Sequence, residues 1–219
     1  MDKIYLLLTG PGAYISFALF FGGIIYRVVL FIYLAKKRDH EVLTYFNIPY
    51  AMRSVFAWSV PFYARSWRKA PLFTILTYLF HISIFLVPLF LSAHIIMLQL
   101  SWHISYPWIP DHLANIFTLL GIICCALLAL RRVLDRGIRY ITTASDWYVL
   151  GLTFLVLLSG FVSYNQLLNY RLSIILHVFL GELLLVSIPF TKLSHMIISP
   201  FLRGYMGSEF GAVRGVKDW

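Results

Sequence analysis

The sequence predicts an all-α integral membrane protein, a bundle of five transmembrane helices with its N-terminus outside and its C-terminus in the cytoplasm. Three observations predict it. Five apolar runs are long enough to cross a bilayer, which takes about 20 residues. Charged residues make up only 12% of the 219 residues and hydrophobic ones 60%, for a mean hydropathy of +0.81. A water-facing surface carries roughly a quarter charged residues, so lipid must be the main solvent. Finally, the Lys and Arg residues crowd into alternate connections.

The runs lie near residues 12–34, 72–98, 113–130, 147–164 and 172–198. Each must be helical, because an open strand in lipid leaves backbone groups unpaired. The opening Met1-Asp2-Lys3 looks like the start of a signal peptide. The apolar stretch after it runs far past a normal leader core, with no early small-x-small site, so it is expected to be retained. Residues 1–205 read as one membrane domain and 206–219 as a cytoplasmic tail.

Between the first and second spans, segment 36–70 carries Lys36, Lys37, Arg38, Arg53, Arg65, Arg68 and Lys69. Its aromatics, among them Tyr45, Tyr50, Trp58, Tyr63 and Trp67, alternate with the arginines, which suits the headgroup layer. Pro49 and Pro61 are expected to break it into short pieces. The segment would serve as an interfacial anchor, as a docking surface, or as both. Segment 131–146 holds Arg131, Arg132, Arg136 and Arg139, and the C-terminal part Lys192, Arg203, Arg214 and Lys217. Loop 99–112 has no Lys or Arg, and 165–171 only Arg171. The positive-inside rule then gives the orientation stated above. The net charge of +9 is thus topogenic, with no nucleic-acid footprint. Cys124 and Cys125 are adjacent within an apolar run and read as small packing residues.

Four of the seven histidines fall in two spans, His81 and His94 in the second, His177 and His195 in the fifth. Ionisable residues inside a membrane are expensive and commonly functional. The two spans are antiparallel, so depth pairs His81 with His195 near the inner face and His94 with His177 near the outer face. Bis-imidazole ligation of haem iron needs two histidines facing each other across a ring. His177 and His195 are 18 residues apart, five turns of a continuous helix, which places them on one face. His81 and His94 are 13 apart, which turns an ideal helix to about 220° and sets them on different faces. Pro88 lies between them and is expected to help re-aim His94. Structural hydrogen bonding between helices is the competing role for such histidines.

These stretches resemble a known family. Leu79-Phe80-His81-Ile82 followed by His94, the connection Leu130-Arg131-Arg132 with Arg139, Thr142-Thr143 and Asp146, and Pro189-Phe190-Thr191-Lys192-Leu193-Ser194-His195 after Leu176-His177 are similar to the gamma subunit of respiratory nitrate reductase and its membrane cytochrome b relatives. Arg27 also sits where that family has an arginine late in the first span. The resemblance covers most of residues 12–205. A longer histidine separation, a short loop between the fourth and fifth spans, and the absence of lysine from 99–112 favour the relatives that serve complexes of sulfate-reducing bacteria. The resemblance implies two b-type haems, His81 and His195 binding the inner one and His94 and His177 the outer. It also implies a quinone, with menaquinone the candidate, and a cytoplasmic iron–sulfur partner subunit. Further membrane subunits, an outer-side multihaem cytochrome c and a prokaryotic plasma membrane belong to the same expectation. Such a chain is an electron-transfer subunit and no complete enzyme alone. The alternative is a haem-free membrane anchor or small transporter subunit.

Other polar residues are weighed beside this reading. Arg27 either snorkels or pairs with a haem propionate; Arg131 and Arg132 are alternative propionate partners or simply topogenic. Glu182 is the only acid well inside a span, suited to quinone protonation or to an interhelical hydrogen bond. His103, Asp111 and His112, among Trp102, Tyr106 and Trp108, are the outer-loop groups available for quinone protons, or members of an aromatic belt. His40, amid Lys37, Arg38 and Glu41, is expected to be solvated.

Overall fold

The computed structural model describes residues 2–219, which are helical with no strand among them. Helices α1 (Asp2–Leu7) and α2 (Ala13–Arg38) are joined by a wide π-type turn, Leu8–Gly12, that contains Pro11. There follow α3 (Ile48–Ser59), α4 (Arg65–Lys69), α5 (Pro71–Phe90), α6 (Ser92–Trp102), α7 (Asp111–Leu134), α8 (Arg136–Ile141), α9 (Ala144–Tyr164), α10 (Tyr170–Phe190) and α11 (His195–Ser208). Among the described residues, five helical stretches are long and apolar enough to cross a membrane: Lys3–Arg38, Pro71–Phe90, Asp111–Leu134, Ala144–Tyr164 and Tyr170–Phe190. That is the make-up of a multi-pass membrane protein.

The first span is longer than the sequence reading placed it, Lys3–Arg38, and two others end earlier. The second span ends at Phe90: Leu91 is extended (φ −71°, ψ 131°), so His94 sits on a separate helix, α6. The fifth ends at Phe190: Thr191 is extended, and a single tight turn, Lys192–Ser194, leads into α11, whose first residue is His195. Helical arithmetic therefore applies to neither histidine pair, and both the five-turn spacing and the 220° phase are withdrawn. Pro49 does not break the interfacial segment either. It lies in the first turn of α3, where a missing N–H costs nothing, behind an Asn47 cap that accepts from the Tyr50 amide.

The chain divides into two compact units. One comprises residues 1–13 and 75–184. Its core is Phe80, Cys124, Cys125 and Leu157, with Leu76, Leu79, Ile122 and Phe154 packed around them. Small residues bring helices close, and a Cβ on Gly121 would stand 3.0 Å from the Ser83 Cβ. Asn115 and Asn165 exchange side-chain amide bonds of 3.2 and 3.0 Å between α7 and α9.

The other unit comprises residues 14–74 and 185–219. Here α3 packs along α11 through Ala51, Ser54 and Ala57 on one side and Gly204, Gly207 and Ser208 on the other. Ser208 Oγ accepts from the Asn47 amide at 3.0 Å. The Arg203 guanidinium lies 3.6 Å from the centroid of the Trp58 ring. The last residues fold back onto α3: Ser54 Oγ donates to Asp218 at 2.6 Å, and Trp219 lies beneath Arg53 and beside Tyr63.

Candidate metal-ligating histidines

Four backbone carbonyls end a helix without partners of their own. For α5 these are Val87, Pro88, Leu89 and Phe90, and each is satisfied. Leu91 N donates to Val87 O at 3.0 Å, His94 Nδ1 to Pro88 O at 3.0 Å, Tyr106 Oη to Leu89 O at 2.6 Å, and Ile109 N to Phe90 O at 3.0 Å. The break at Leu91 is thus a built corner held by the loop that follows α6. The His94 ring is one of its fasteners.

Since a carbonyl only accepts, His94 carries its proton on Nδ1 and its lone pair on Nε2. The same holds for His81, whose Nδ1 donates to Thr77 O at 2.7 Å, and for His195, whose Nδ1 donates to Lys192 O at 2.8 Å. His177 reaches this state through a hydroxyl. Ser159 Oγ gives its proton to Val156 O at 2.9 Å, so it accepts from His177 Nδ1 at 3.1 Å. One tautomer, with the proton on Nδ1, suits the hydrogen bonds of all four rings. A metal-ligating imidazole is commonly oriented in this way, by donating its other N–H.

His94 and His177 come together within the first unit. Their ring centroids are 6.0 Å apart and their planes are 10° from parallel. Imidazoles bound through Nε2 at about 2 Å, on opposite sides of one metal, hold their centroids roughly 6 Å apart. The next residue along α9 makes room for this: a Cβ on Gly160 would stand 2.9 Å from His177 Cε1. The two rings are stacked. No cluster of three or more His, Cys, Asp or Glu that could hold a metal ion occurs among the described residues. The seat of His177, Ser159-Gly160, escaped the sequence reading because Ser and Gly in an apolar helix usually signify packing.

The other residues singled out in the sequence fall as follows. Arg27 Nη2 donates to Ser194 Oγ at 3.1 Å, next to His195 in sequence and within the second unit. Arg132 is taken up by the α8–α9 corner. Its Nη1 donates to Thr142 Oγ1 at 3.4 Å and lies 3.8 Å from Asp146 Oδ1. Asp146 also closes a capping box with Thr143, so this stretch of the resemblance does structural work. Arg131 is half-buried beside it in sequence.

Asp111 accepts from Ser92 Oγ at 2.6 Å, tying the start of α7 to the start of α6. His103 ends α6 in the left-handed region (φ 57°) and is exposed, as is His112. Glu182 lies five residues beyond His177 on α10, and its Oε1 is buried without a hydrogen-bond partner. His40 is exposed.

No protein-family model matches the chain, and no solved structure matches it. A protein of Nitratidesulfovibrio vulgaris (strain Hildenborough), whose name states no activity, is 35% identical over 216 residues, covering 97% of this chain and 96% of the relative. Similarity of that extent, along nearly the whole length of both chains, places this chain in the same family as that Nitratidesulfovibrio vulgaris protein.

Proposed function

We propose that this chain is the di-haem b-type cytochrome subunit of a respiratory membrane complex. It passes electrons across a prokaryotic plasma membrane, between a quinone pool or outer-side redox partner and a cytoplasmic iron–sulfur subunit. The observation that carries the reading is the His94–His177 pair: parallel rings 6.0 Å apart, each with its lone pair on Nε2. Bound haem would supply a one-electron iron couple. The chain's own part is to present the imidazoles and to orient them with hydrogen bonds at Nδ1. His81 and His195 are proposed for the inner haem from their depth in the sequence alone. Arg27 and Arg131 are the proposed propionate partners. Arg132, which also engages Thr142 and Asp146, is a third.

The haem-free anchor reading uses the histidines to tie helices together. His94 Nδ1 bonds α6 to Pro88 of α5 and His177 Nδ1 bonds α10 to Ser159 of α9, which both readings accommodate, whereas the Nδ1 bonds of His81 and His195 reach carbonyls four and three residues back. Reduction of the purified protein with dithionite separates the two readings. We expect a b-type alpha band and about two equivalents of non-covalent haem per chain, since no Cys-x-x-Cys-His is present for covalent attachment. Absence of the band in protein recovered from haem-replete cells would sink the cytochrome reading. His94→Ala and His177→Ala are expected to remove one and the same spectral component, and His81→Ala and His195→Ala the other.

A further inference from the structure

Glu182 is surrounded by unusual backbone. A Cβ placed on Gly12 would lie 3.2 Å from both carboxyl oxygens of Glu182 and 3.1 Å from the carbonyl oxygen of Leu7. The carboxyl group therefore abuts the bare backbone of the wide turn Leu8–Gly12. In that turn Pro11 offers no N–H, and the Ala13 amide is shared between the Leu8 and Gly10 carbonyls. Wide turns of this kind often mark functional positions. Carbonyl oxygens of interrupted helices, together with intramembrane carboxyls, are a recurrent way of holding protons and small cations in lipid.

We propose that Glu182 and the turn Leu8–Gly12 form an intramembrane cation site whose occupant is a proton carried on Glu182. Three oxygens converge there, two of the carboxyl group and one of Leu7. Metal cations of the hard class take about six oxygen ligands, which is more than this site supplies. A proton needs only the carboxyl group.

No charged group balances the carboxyl nearby. It forms no ion pair among the described residues, and its Oε1 has no hydrogen-bond partner. On the facing segment Lys3 and Tyr5 lie nine and seven residues before Gly12, about 13 and 10 Å along a helix. On α10 itself the nearest titratable group is His177, five residues back, about 7.5 Å along the axis. The site gives the chain a place to hold one proton on the same helix as His177. It does not depend on haem being bound.

Dicyclohexylcarbodiimide reacts with protonated carboxyl groups in apolar surroundings. Full-length protein in native membranes is treated with it near neutral pH, and labelled peptides are located by mass spectrometry. Glu182 is expected to be labelled while the exposed Glu41 and Asp135 are not, and sodium ions should leave the labelling unchanged. Gly12→Val, which fills the space beside the carboxyl, should suppress it, and Glu182→Gln should abolish it. Haem content measured on the same samples keeps the two ideas apart: labelling without haem would leave this site standing and remove the cytochrome. Labelling of Glu182 no stronger than that of Glu41, or labelling indifferent to Gly12→Val in a folded variant, would overturn the site. Protection by sodium would overturn the proton as its occupant.

Discussion

At the scale of single residues, the four histidines stood out in the sequence as ionisable groups in apolar stretches, but what holds their rings did not. The partners of His94 and His195 are main-chain carbonyls exposed by helix ends, and no residue type announces them. Ser159 and Gly160 carry the tests that follow. Gly160→Ala places a methyl group 2.9 Å from His177 Cε1, closer than carbon atoms approach without one of them moving. Overpacking of this kind costs about 1–3 kcal/mol. On the proposed cytochrome function, the expected outcome is protein that retains the inner haem and loses the outer, read as a halved haem-to-protein ratio. Ser159→Ala keeps the space and removes the acceptor at His177 Nδ1. An imidazole that no longer donates is a poorer partner for oxidised iron. The outer haem potential is expected to rise in redox titrations, and in Ser159→Asp, with a stronger acceptor, to fall.

At the scale of elements, the sequence located the five apolar helices but ran two of them too far. Hydropathy cannot see an interruption whose residues are themselves apolar, and Leu91 is one. The capping groups that make the break affordable, Tyr106 and Ile109, come from a loop more than a dozen residues on. Tyr106→Phe should therefore act on α5 from a distance. Leaving Leu89 O unsatisfied costs about 1–3 kcal/mol if it stays buried. Heating should release the outer haem of this variant at a lower temperature than wild type, with the inner haem unaffected. The α3–α11 pair gives a second test, free of cofactor. A Cβ on Gly207 would come within 2.3 Å of the Ser54 Cβ and 2.7 Å of Tyr50 O. Gly207→Ala should lower the thermal unfolding midpoint in detergent, whereas Gly151→Ala, with nothing within 4 Å, should not.

At the scale of the whole molecule, basic residues on alternate connections motivate an N-terminus outside and a C-terminus in the cytoplasm. Thiol mapping in intact cells tests this. Cys124 and Cys125 are buried in the apolar core, so the native chain should be silent to a membrane-impermeant maleimide. Ser105→Cys, in the loop after α6, is expected to label from outside. Tyr140→Cys, at a position 90% exposed on α8, is expected to label only after the membrane is opened. The opposite pattern would invert the topology. The aromatic and basic residues of the tail suit an interface better than a solvated end, but its return onto α3 of the same chain, which receives Asp218 and Trp219 through Ser54 and Arg53, was not legible in the sequence. That return bears on how the protein is handled at the bench. A purification handle fused directly after Trp219 would compete with α3 for the segment that carries it. Such a handle is expected to be masked in native membranes and to unseat the Ser54–Asp218 contact when it is captured on a resin, so a flexible spacer belongs between Trp219 and any affinity tag.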